Sequence, residues 1–148
     1  MSYTTVEDAL ATTIKLLTGY SASNVAQGSY TVLGSGQTKA VVLQPGSFSA
    51  EMAAQQWKRS QWNINIELYI LWQTTIGDTS TSLKDARTAL IDHLDKYPTL
   101  GSTSGVVRAM VTEGREPELW QMGAQQFWKQ ILVMQVEERG VVNYAANG

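Results

Sequence analysis

Trp62-Asn63-Ile64-Asn65-Ile66-Glu67-Leu68-Tyr69-Ile70-Leu71-Trp72 is the stretch that decides the fold. Large apolar residues fall on every even position, and Asn63, Asn65 and Glu67 stand between them. Side chains alternate across a β-strand, so period two over this length predicts one long strand, roughly 35 Å at ~3.3 Å per residue. Its even face wants a covering layer. Its odd face begins polar but ends in Tyr69 and Leu71, which breaks the usual division into a wet and a dry side. A second long strand is expected over residues 126–139, with Trp128, Leu132, Met134 and Val136 on one face and Phe127, Ile131 and Val133 on the other.

Working outward, residues 5–17 place Val6, Leu10, Ile14 and Leu17 at helical spacing. Thr4 and Glu7 form a capping-box pattern in front of this stripe, and Gly19 supplies a stop. A second amphipathic helix is expected over 82–97, with Leu83, Ala86, Leu90, Leu94 and Tyr97 on one side and Pro98 to end it. Residues 40–43 read as a short strand closed by Pro45 and Gly46, and residues 106–112 as another strand. Residues 20–39 read as an extended connector with β-like pieces near 30–33, and residues 74–81 as a polar connection. The order helix, strand, long strand, helix, strand, long strand shows no internal repeat. It predicts an α+β protein with an antiparallel or mixed four-stranded sheet and two helices packed on one face. Residues 1–148 make one domain, with a loose tail from about 140.

Two segments are expected to be loops that carry large side chains. One, residues 46–60, holds Phe48, Met52, Trp57 and Arg59; the other, residues 114–125, holds Arg115, Glu118, Trp120 and Met122. Apolar groups of this size in loops need a partner surface, and aromatic anchors are enriched where proteins meet. These eight residues are the candidate protein interface. Two helices are also too few to hide both faces of the sheet. If a neighbour buries ~800 Å², about half of it apolar, the hydrophobic term is on the order of 10 kcal/mol before the cost of association. Self-assembly is the expectation.

Catalysis is not. The single histidine, His93, stands beside the apolar stripe of the second helix with no serine or cysteine nucleophile tied to it by motif. Asp85, Asp92 and Asp95 share that helix with Lys84, Arg87 and Lys96, which suits a solvated face better than a metal site. Gly34 to Lys39 has the glycines of a phosphate loop but runs toward a strand instead of a helix, so it reads as a turn. Neither a cofactor nor a catalytic residue is expected. With 148 residues, 43% apolar and 16% charged, the chain can bury a core, and a net charge of −2 gives it no field to gather a polyanion. The absence of cysteine fits a reducing compartment, the first residues are not expected to act as a signal peptide, and no apolar run reaches the ~18 residues of a membrane span.

The element order and several local phrases resemble the tail terminator, or tail completion, proteins of long-tailed bacteriophages. The resembling pieces are Thr5-Val6-Glu7-Asp8-Ala9, Ala40-Val41-Val42-Leu43-Gln44-Pro45-Gly46-Ser47-Phe48, the strand from Trp62 to Trp72, Leu94-Asp95-Lys96-Tyr97-Pro98-Thr99-Leu100, and the closing strand from Phe127 to Glu138. The resemblance implies a non-enzymatic virion protein, made in the host cytoplasm, that forms a homo-oligomeric ring, a hexamer, on the head-proximal end of the tail tube. Its partners would be copies of itself, the tail tube protein and a head completion or neck protein, with DNA passing through the lumen and no membrane. The family supplies no catalytic residue to carry over. Another head-to-tail connector shares the size and the ring habit. A small ligand-binding α+β domain is the reading from a different class.

Overall fold

The computed structural model describes residues 3–28, 38–54, 57–72, 76–122 and 124–141. The elements are α1 (Tyr3–Lys15), β1 (Val25–Gln27), β2 (Lys39–Ala54), β3 (Trp57–Leu71), α2 (Ile76–Asp95), β4 (Val106–Gly114), β5 (Glu118–Met122) and β6 (Gln125–Val141). Among the described residues they form an α+β fold with two helices and one mixed sheet of six strands, not four. Across the sheet the order is β1-β2-β3-β6-β4, and β5 pairs with the other half of β6 on the same side as β4. Among the described residues only β1 with β2 is parallel; every other pair is antiparallel.

The alternation of β3 works as its sequence implies. Ile64, Ile66, Leu68 and Ile70 are buried and join Leu132, Met134 and Val136 of β6 in one core with Val6, Leu10 and Ile14 of α1 and Leu83, Leu90 and Leu94 of α2. Both helices therefore lie on the even-numbered face of β3. Trp62 and Trp128 pack at the margins of this core. The odd-numbered face has a smaller core of its own, in which Tyr69 and Phe127 meet edge to face at 5.8 Å beside Ala40 and Val42. Tyr69 and Leu71 are thus not bare, which corrects the expectation that this end of the sheet waits for a neighbour.

Helix boundaries differ modestly. α1 begins at Tyr3, so Thr4 and Glu7 lie inside its first turns and do not form the expected cap. α2 begins at Ile76, which absorbs most of the expected polar connection, because residues 76–81 contain one glycine and no proline to prevent a helical start. Gly19 sits at φ +97°, beyond the last turn of α1, where a side chain would be strained. The expected β-like piece at 30–33, the glycine turn at 34–37 and the tail at 142–148 lie outside the described residues.

The larger correction concerns the two expected loops. β2 does not stop at Pro45 but runs on to Ala54, paired antiparallel with β3 as far as Trp57, so most of 46–60 is the far end of a long strand pair, here called the arm. Proline is tolerated there because it stands on the outer strand and at a β-bulge, where Pro45 to Phe48 spans one residue more than Ile64 to Trp62 opposite. Gly46 makes the bulge possible, since a Cβ on it would lie 2.6 Å from the Asn63 carbonyl oxygen. Residues 114–125 likewise contain β5. The Arg115 amide donates to the Ile131 carbonyl at 2.8 Å, and the Gln130 side-chain amide donates to the Arg115 carbonyl at 2.8 Å, so β4 continues into β5 across a bend at 115–117.

Candidate functional site

The eight candidate interface residues fall into two patches at opposite ends of β6. Trp57 lies across from Val141, and Trp120 lies across from Phe127. Fourteen residue steps of strand separate those partners, about 45 Å at ~3.3 Å per residue. The first patch is on the arm. Phe48 is 50% exposed and Met52 52%, and both project from β2 on the side that carries the helices, because the bulge at Pro45 shifts the alternation by one. Phe48 is not loose, since its ring lies 4.3 Å from that of Trp62. Trp57 projects from the opposite side of the arm and is 44% exposed.

The second patch is on β5. Glu118 and Trp120 point to the face without helices, while Leu119 between them points the other way and is 60% exposed. Met122 closes the strand, and its side chain lies outside the described residues. Trp120 has an internal task. Its ring covers the Lys129 ammonium at 4.1 Å, Lys129 is buried and paired with Glu67 at 3.5 Å, and Glu67 accepts a hydrogen bond from the Tyr69 hydroxyl at 3.0 Å. Burial, with the Glu67 charge second, pushes the Tyr69 phenol above its usual range. A cation this deep needs both its counter-charge and its aromatic lid.

Arg59 belongs to an arrangement that reading by composition missed. On the face without helices, Glu51 of β2, Arg59 of β3, Glu137 of β6 and Arg108 of β4 follow one another across the sheet. Arg59 is 3.3 Å from Glu51 and 3.3 Å from Glu137, and Arg108 is 4.0 Å from Glu137. The charges alternate minus, plus, minus, plus from one side of the sheet to the other. They line an open cleft of about 360 Å³ with Ser49 and Gln61. The four charges offset one another, so the cleft has no net sign with which to hold an ion. Their relation becomes visible only once the strand order β2-β3-β6-β4 is known.

Two more exposed apolar residues lie on β4. Val107 is the extra residue in a register shift between Val106 and Arg108, and Met110 stands on the face without helices; they are 45% and 41% exposed. Both sit in a segment read simply as a strand, where a short run of valines and methionine gives no sign of which side is wet.

His93 is placed as a packing residue. Its ring is buried, 5.0 Å from that of Tyr97, and its Nε2 donates to the Thr13 carbonyl at 2.7 Å, which ties α2 to α1. Among the described residues no three of His, Cys, Asp and Glu gather closely enough to hold a metal ion. No helix among the described residues is long and apolar enough to cross a membrane. No protein-family model matches the chain, and no curated protein matches it. The surface itself must therefore carry the functional argument.

Proposed function

We propose that this chain is a tail terminator of a long-tailed phage, a structural subunit that closes into a ring on the head-proximal end of the tail tube. The ring stops further addition of tube protein and offers its other side to the head. One observation carries the reading: among the described residues, large apolar side chains are exposed at both edges of the sheet, Phe48 and Met52 on the part of β2 that runs on past β1 and Val107 and Met110 on β4. A closed ring needs two different complementary surfaces on each subunit, one for each neighbour. Opposite strands of one sheet supply such a pair. The resemblance of the sequence to the terminator family supports the choice of ring, and a hexamer is the count that resemblance implies.

In this reading no bond is made or broken. The ring matches the last tube ring on one side and differs from it on the other, so growth ends by occupancy. A neck or head completion protein would also form rings, and the distinction lies in the partner. Purified protein, gold-labelled and incubated with both tail tubes and portal-bearing heads of the phage, is expected at one end of the tubes. Label found at head portals and absent from tube ends would transfer the assignment to the neck.

A further inference from the structure

We propose that neighbouring copies join along the sheet, the β2 side of one against the β4 side of the next, so that Arg108 meets Glu51 of the next copy and the charge ladder runs on across the seam. The inference rests on the ring reading above and specifies its contact. Three features of the structure support a second copy of this chain as the occupant. Both strands are outermost among the described residues: β1 pairs with β2 only as far as Leu43, and β4 pairs only with β6. The ladder ends with a negative group on β2 and a positive group on β4, and these two end residues are its most exposed members, at 64% for Glu51 and 61% for Arg108. Strand direction also agrees. β2, β3, β6 and β4 alternate in direction, so β4 runs opposite to β2. Rotation about an axis along the strands keeps directions unchanged, and the next β2 therefore arrives antiparallel to β4.

Charge also selects the symmetry. A two-fold dimer joins like sides, so it sets positive on positive at β4 or negative on negative at β2. A rotating, head-to-tail arrangement sets opposite charges at every seam. With Arg108 across from Glu51, antiparallel order brings Val107 against Met52 and the half-buried Val111 against Phe48, which covers Val107, Met52 and Phe48, now exposed. The seam is not a continuous ladder of backbone hydrogen bonds. The Ala109 amide is already taken by the Pro98 carbonyl at 2.7 Å, so strand pairing is available from Val111 to Gly114, and Arg108 reaches its partner by its side chain.

The test uses two charge reversals, Arg108→Glu and Glu51→Arg, in the full chain. Each alone sets like charges at every seam and is expected to leave the protein monomeric by native mass spectrometry, with wild-type far-ultraviolet circular dichroism. Mixed in equal amounts, the two variants present opposite charges at both kinds of seam, and rings of alternating subunits are expected to return. Wild type is expected to form the same closed species as its concentration rises. Rings from either single variant, no rings from the mixture, a two-fold dimer, or wild type that stays monomeric to its solubility limit would each overturn the seam. A variant that loses its fold is replaced by the milder Arg108→Gln or Glu51→Gln, which is expected to lower ring yield with the monomer intact; unchanged yield counts against the proposal. The outcomes separate from those of the cap itself. Rings that complement but ignore tubes refute only the cap, and single variants that cap tubes as well as wild type refute only the seam.

Discussion

Gly46 shows how much one missing Cβ decides. The bulge it permits shifts the alternation of β2, so that Phe48 comes to lie on the same side as Trp62 and Glu51 lies opposite it, beside Arg59. Gly46→Ala forces a methyl group against the Asn63 carbonyl and is expected to cost about 1–3 kcal/mol, read as a lower denaturant midpoint. An unchanged midpoint would mean that the close approach relaxes freely. Leu90 is a simpler case, a fully buried side chain between helix and sheet, and Leu90→Ala is expected to cost about 2–5 kcal/mol by the same measurement. The two sites differ in legibility. The core role of Leu90 follows from 3.6-residue spacing alone, whereas Pro45 and Gly46 carry the same local signature for a strand end and for a bulge on an outer strand. Only the pairing with Asn63 and Ile64 tells them apart.

The two tryptophans outside the core separate at the level of elements. Trp57 ends the arm, and Trp57→Ala is expected to leave the melting temperature nearly unchanged while weakening assembly. Trp120 lies over Lys129 on β5, so Trp120→Ala is expected to cost about 1–2 kcal/mol of monomer stability, because a buried ammonium loses its aromatic cover. Equal thermal loss in both variants would contradict the division of roles. Composition made the two look alike, since each is a large aromatic in a segment rich in turn and polar residues. β5 was illegible for a related reason. Its five residues follow Pro117, and its pairing depends on β6, fourteen residues of which were readable from their alternation without any sign of what lay beside them. Strand order is a long-range property, and so the ladder from Glu51 to Arg108 could not be read along the chain; strands were expected over Arg108 and Glu137, whereas Glu51 and Arg59 lie in the segment expected to be a loop.

For the molecule as a whole, the buried phenols set a limit at high pH. Burial pushes Tyr20 up to about 12, and Tyr3 and Tyr69 shift in the same direction. An unfolded tyrosine titrates near 10, so between these values the unfolded chain gives up a proton that the folded chain keeps. Stability is therefore complete below about pH 10 and is lost as pH rises toward 12, by about 3 kcal/mol from Tyr20 alone at ~1.4 kcal/mol per pH unit. Absorbance at the tyrosinate band, followed together with circular dichroism, should show ionisation of these groups coinciding with unfolding. Phenols that ionise near 10 in a folded chain would contradict their burial. The second face of the sheet covers part of its own apolar area; of the exposed large apolar groups, Phe48 and Met52 lie on β2, Val107 and Met110 on β4, and Leu119 and Trp120 on β5, while Trp57 opens β3 and Leu16 follows α1. The decisive measurement is growth of the phage tail tube from purified tube protein, with and without this chain, followed by electron microscopy. Tubes that stop lengthening, each with a ring of this protein on one end, are the expected result; tubes that grow at an unchanged rate with bare ends would refute the cap.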